Sequence, residues 1–168
     1  MAPQQQIAFR LPFIYRFFFL LIEPLSALVG AFFTHFHQAT YLRYLDAQSA
    51  PAPIAGDAAS VVLPLSTSVA MSLLANMHLL FALNEALVLR STWDMRVWRT
   101  VLGMLLIADL GHLYSLKGLG LSIYYDVLGW NIGIWGNVPW VYVGAALRMC
   151  FLMGVGMGES KRSKNKSQ

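Results

Sequence analysis

Four ionisable side chains, Glu23, His78, Asp109 and Arg148, each interrupt a long apolar stretch near its middle. A charge at the centre of a bilayer costs at least about 2.5–3.5 kcal/mol, so such groups face one another inside a helix bundle rather than lipid. A helical rise of 1.5 Å per residue puts all of them within about two turns of the centres of their stretches. The expected arrangement is one polar layer at mid-membrane depth. With Arg148 charged and Glu23 and Asp109 ionised, +1 and −2 leave the layer at −1 unless His78 or one carboxyl holds a proton. A buried cluster with a shareable proton suits general acid/base chemistry. The same residues can equally serve as a hydrogen-bonded staple between helices, and both readings stay open at this point.

Spacing within the stretches adds detail. Asp109 and His112 stand three apart, which makes them neighbours on one helix face. They are the candidate catalytic acid/base pair, against the alternative that the carboxylate merely satisfies a buried imidazole. Glu23, His78, Glu85 and Arg148 are the residues expected to line the cavity or balance its charge. His78 and Glu85 share a face seven positions apart, at about 10 Å, too far to bond directly. Glu85 is therefore expected to pair with Arg90 or Arg99 at the edge of the bilayer. His35 and His37 offer only two ligands where a zinc site needs three or four, so no metal is expected, and no cofactor. The chain has no glycine-rich phosphate loop, nucleophile elbow or His-Glu-x-x-His helix, which removes support for NTPase and hydrolase readings. Cys150 has no second cysteine to pair with and reads as a small hydrophobe.

The elements that must position these groups follow from composition. The chain is 57% hydrophobic and 12% charged, with a mean hydropathy of +0.55; a soluble domain of this size carries about twice that charge. Four stretches, 13–35, 66–89, 97–116 and 138–157, reach the roughly 20 apolar residues that a bilayer-spanning helix needs. The fold class is all-α, a four-helix transmembrane bundle in one membrane domain over 13–157. A cytosolic N-terminus of residues 1–12 precedes it and a basic cytosolic tail of 158–168 follows. Arg10, Arg16, Arg90, Arg96, Arg99 and the tail residues Lys161, Arg162, Lys164 and Lys166 fall on one side of this plan. The positive-inside rule then places both termini in the cytosol. The net charge of +4 is accordingly a topology signal, with no nucleic-acid partner implied. Trp93 and Trp98 mark the cytosolic border, and Tyr124, Tyr125, Trp130, Trp135 and Trp140 the opposite one. Ser26 with Gly30 and Ala27 with Ala31 allow close helix approach. The 36–65 link holds a short surface helix around Tyr41–Leu45 and then an extended connector at Ala50-Pro51-Ala52-Pro53. The apolar, glycine-rich 118–136 link is expected to fold back over the bundle. Gly154, Gly156 and Gly158 weaken the end of the last span. The terminal Lys164 and Lys166 resemble a dilysine retrieval signal, which points to a multi-pass protein of the endoplasmic reticulum. The sequon Asn165-Lys166-Ser167 is usable only on a lumenal tail.

The segment 11–31, centred on Ile22-Glu23-Pro24-Leu25-Ser26, resembles the opening of an uncharacterised family of small fungal integral membrane proteins with four spans. The likeness continues through Asn84-Glu85, Asp109 and the loop 126–130. The four-span plan with intramembrane histidine and carboxylates is also distantly similar to the emopamil-binding sterol isomerase group, whose full His/Glu arrangement this chain does not reproduce. The resemblance implies no settled activity, but members of such families occur in natural-product pathways, where small membrane proteins assist cyclisation or isomerisation of lipophilic intermediates. The expected function here is a membrane enzyme or accessory factor that cyclises or isomerises a lipophilic metabolite. The partners implied are a lipophilic small molecule, the bilayer, and a second copy or pathway enzymes. A noncatalytic membrane scaffold or lipid- or sterol-binding protein is the alternative from a different class.

Overall fold

The computed structural model of the chain describes residues 11–48, 50, 51 and 62–157. Among these residues all regular structure is helical. The helices are α1 (Phe13–Phe36), α2 (Gln38–Leu45), α3 (Leu65–Ser91), α4 (Met95–Ser115), α5 (Ile132–Asn137) and α6 (Pro139–Leu152). Two of them, α1 with 24 residues and α3 with 27, are long and apolar enough to cross a membrane. At 1.5 Å per residue they span about 36 and 40 Å, more than the roughly 30 Å hydrocarbon core. The helix α4 has 21 residues and carries Arg99, Asp109 and His112. The last helix is shorter than its apolar stretch: it ends at Leu152, not 157, because Gly154 and Gly156 take φ of +80° and +73°. That left-handed backbone is what stops helices at their C-termini. Its 14 residues cover about 21 Å.

Side-chain bonds fix the register of the bundle. Along α4 and α6, Arg99 Nη2 donates to the Leu152 carbonyl at 2.6 Å, and Arg148 meets Asp109. Between α1 and α6, Tyr15 Oη donates to the Val155 carbonyl at 2.8 Å and Trp140 Nε1 to Ser26 Oγ at 3.0 Å. In both pairs one helix is read forwards as the other is read backwards, so the pairs are antiparallel. The helices α1 and α3 lie against each other along most of their length. At the arginine-bearing end, Tyr15, Phe18, Phe19, Trp98, Leu102 and Phe151 form the core. The Phe151 ring takes Tyr15 edge-on at 5.3 Å and stacks on Trp98 at 5.9 Å. Trp98, expected at the membrane border, is thus buried in the core and donates Nε1 to the Thr92 carbonyl. Trp140 likewise turns inward, 5.7 Å from the Phe18 ring.

Both long apolar helices change pitch. A π-helical turn occupies Phe18–Ile22 in α1 and another Asn84–Val88 in α3, and the two turns pack on each other. Pro24 accounts for the first. It has no N–H to give the carbonyl four residues earlier, and its ring crowds that carbonyl. The carbonyl in question belongs to Leu20, and Arg90 Nη2 reaches across from α3 to donate to it.

At the other end of the bundle lie the two longer links. The short helix α2 contains Tyr41–Leu45. The 118–136 link forms three short 3₁₀ turns followed by α5. Tyr124 Oη donates to the Leu113 carbonyl, and Tyr142 Oη to the Tyr124 carbonyl, which ties the link to α4 and α6. Asn131 caps α5 by accepting from the N–H groups of Gly133 and Ile134. Gly133 must be glycine, because a Cβ there would lie 2.3 Å from Tyr44 Cβ of α2. The Ala52-Pro53 half of the connector, Arg10, and the tail with Lys164, Lys166 and the Asn165 sequon lie outside the described residues.

Candidate functional site

One guanidinium gathers three carboxylates from three other helices. Arg148 of α6 places Nη2 2.6 Å from Glu23 Oε1 of α1 and 3.0 Å from Glu85 Oε1 of α3, and Nη1 2.6 Å from Asp109 Oδ2 of α4. The Arg148 side chain is 4% exposed and that of Glu85 2%, so water screens neither. A planar fork with several donors suits such multiple acceptance, which a point-charge lysine cannot reproduce. The Phe19 ring lies 5.8 Å from the guanidinium carbon and closes the site toward the aromatic core.

The local structure explains why these four meet. Glu23 follows the π turn of α1 directly and Glu85 lies inside that of α3, and each wider turn rotates its carboxylate relative to regular helical counting. Gly144 stands one turn before Arg148 and supplies room by lacking a side chain. A Cβ there would lie 2.8 Å from Arg148 Nη1 and 3.2 Å from Glu23 Oε1. Both neighbours are fixed by ion pairs, so neither can give way at low cost. Gly144→Ala is accordingly expected to lower the thermal midpoint in detergent. Gly103→Ala on α4, where a Cβ meets nothing within 4 Å, is expected to leave it level or raise it. Equal midpoints for the two variants would remove the spatial role assigned to Gly144.

The expected polar layer is thus assembled with one exchange of members. Glu23, Asp109 and Arg148 come together as the sequence suggested. His78 does not join them: it packs on Gly30, whose missing side chain leaves 3.4 Å to the imidazole, and its Nδ1 is buried without a partner. Glu85 takes its place. The expected pairing of Glu85 with Arg90 or Arg99 is corrected, since those arginines donate instead to the carbonyls of Leu20 and Leu152. Asp109 and His112 share a face of α4 without bonding to each other. Asp109 turns to Arg148, while His112 Nε2 lies 3.1 Å from the Asn137 carbonyl. That carbonyl only accepts, so Nε2 carries the proton and Nδ1 keeps its lone pair. Tyr41 of α2 completes this second group. Its hydroxyl donates to Asn137 Oδ1 at 3.3 Å, and burial pushes the phenol above its ordinary value, keeping it a donor.

A family model described as a domain of unknown function, DUF7704, matches residues 8–158. The chain belongs to the DUF7704 family. No curated protein and no solved structure matches it. The DUF7704 region includes all four members of the ionic cluster, together with His78 and His112.

The chemistry available to the DUF7704 cluster follows from its charge. One guanidinium and three ionised carboxylates sum to −2, one more negative charge than the sequence layer offered, because Glu85 replaces a neutral histidine. Neighbouring carboxylates raise the cost of ionising one another. Two polar atoms of the cluster, Glu23 Oε2 and Arg148 Nε, are buried without a hydrogen-bond partner. Buried polar atoms are nearly always paired, so these two are exceptions within the cluster.

Proposed function

We propose that the chain is a four-span membrane protein whose ionic cluster performs acid/base chemistry on a lipophilic metabolite, isomerising or cyclising it. The observation that carries this reading is the three-carboxylate cluster around Arg148, with its excess negative charge and its two unpartnered polar atoms. In this reading a protonated carboxyl of the cluster, with Asp109 the member nearest His112 in sequence, gives its proton to an alkene carbon or a carbonyl or epoxide oxygen. The electron-deficient substrate closes a ring or shifts its double bond. His112 Nδ1 then takes a proton from the adjoining carbon. Its return to Asp109 restores the site, so product and substrate have the same composition and no electrons are exchanged. Low dielectric strengthens these transfers, and general acid/base catalysis is worth about 10²–10⁴-fold.

The remaining parts of the reading concern placement. The helices α1 and α3 cross the bilayer, and α4 and α6 complete the four spans, since Asp109 and Arg148 on those two helices face each other rather than lipid. Arg16, Arg90, Arg96 and Arg99 mark the cytosolic side and both termini with it. The endoplasmic reticulum is the proposed location and a fungal secondary-metabolite pathway the proposed setting. A second reading, a noncatalytic scaffold or a lipid- or sterol-binding protein, draws on the same contacts. The cluster fastens four helices, as polar groups in bilayers commonly do.

A strain lacking the chain separates the two. Its lipid extract is expected to accumulate a precursor isomeric with the missing product, and the wild-type chain is expected to restore conversion. Loss of the product with no isomeric precursor, or an unchanged profile, would favour the scaffold.

A further inference from the structure

Besides the cluster, a groove of 510 Å³ opens where α1 meets the turn between α3 and α4. Its polar lining is one-sided. Arg16 and Arg90 both face it, and no carboxylate does. The carboxylates of Glu23, Glu85 and Asp109 pair with Arg148, and no ion pair joins Arg16 or Arg90 to a carboxylate among the described residues. The Arg16 guanidinium lies 5.8 Å over the ring of Trp93, itself 64% exposed, which orients the cation while leaving its donors available. Arg90 uses Nη2 on the Leu20 carbonyl, and its other nitrogens remain. Apart from Thr92 the rest of the groove is hydrophobic or aromatic, with Phe17, Leu20 and Leu21 along α1.

We propose that this groove binds the headgroup of an anionic phospholipid, with the phosphate between Arg16 and Arg90 and an acyl chain along Phe17, Leu20 and Leu21. Two guanidinium forks match phosphate oxygens geometrically as well as electrostatically. Tryptophan sits at headgroup depth in membrane proteins. The apolar wall decides between sources of phosphate, because it contributes contact to a lipid and nothing to a free anion. The site also abuts the π turn of α1, so a bound headgroup braces the Arg90–Leu20 contact beside Glu23.

Native mass spectrometry of the full chain in neutral detergent tests this, with phosphatidylglycerol, phosphatidylcholine and inorganic phosphate added in turn. The wild type is expected to retain phosphatidylglycerol and release phosphatidylcholine, with inorganic phosphate at equal concentration failing to compete. At about one basic residue's contribution each, Arg16→Gln is expected to weaken phosphatidylglycerol about fivefold and the Arg16→Gln/Arg90→Gln pair about thirtyfold. Arg96→Gln removes the same charge nearby but outside the groove, and is expected to bind as the wild type does. Where the pair fails to fold, Arg16→Gln alone decides. Unchanged binding by Arg16→Gln, an equal loss in Arg96→Gln, or competition by inorganic phosphate would each overturn the proposal.

Discussion

Arg148→Leu is expected to prevent the folded chain from accumulating in membranes. The substitution leaves Glu23, Glu85 and Asp109 facing one another with no cation. Removing one partner of a buried ion pair costs about 3–5 kcal/mol, a large part of the 5–15 kcal/mol that separates folded from unfolded domains. Here three acids lose the same partner at once. Neutralising a single acid in the Arg148→Leu background is expected to rescue poorly, since two unpaired carboxylates remain. Neutralising all three, with Glu23→Gln, Glu85→Gln and Asp109→Asn, is expected to restore accumulation, because replacing a whole buried ionic group is far cheaper than breaking it. Membrane abundance by immunoblot checks the series. Wild-type levels of Arg148→Leu alone would show that the four residues are not one energetic unit.

The second large effect falls on chemistry rather than folding. Asp109→Asn and His112→Gln are expected to accumulate normally and to reduce product formation in the complemented strain by about 10²–10⁴-fold. Both keep size and a donor, and Asp109→Asn also relieves a cluster whose charges sum to −2. The carboxamide of His112→Gln can still donate to the Asn137 carbonyl, so the bond that fixes the side chain survives while the basic nitrogen is lost. Full product from both variants at normal abundance would leave the ionic cluster with a structural role alone.

Much of this site was legible without coordinates, and the parts that were not have physical reasons. Glu23, Asp109 and Arg148 announced themselves because ionisable groups inside long apolar stretches must find one another. Glu85 did not. Regular helical counting puts it close to Arg90 at the membrane edge, and only the π turn at Asn84–Val88 turns it to Arg148. Pro24 was the visible sign of the matching turn in α1, although proline alone does not tell whether a helix kinks, breaks or widens. Gly144 left no signal, because its contribution is empty space beside the Arg148 guanidinium. His78 was misplaced because Gly30 opposite it offers a pocket for an imidazole away from the carboxylates. The length of the last helix was overestimated because apolar composition continues past Leu152, whereas the backbone turns at Gly154.

On the acid/base reading the three carboxylates around Arg148 keep a proton at neutral pH and can transfer it. Infrared spectroscopy of the purified chain reads this directly, since a protonated carboxyl absorbs apart from an ionised one. The wild type is expected to show a protonated-carboxyl band at neutral pH that shifts on exchange into heavy water. The band should be absent from the Glu23→Gln/Glu85→Gln/Asp109→Asn variant. A spectrum in which every carboxyl is ionised at neutral pH would contradict it.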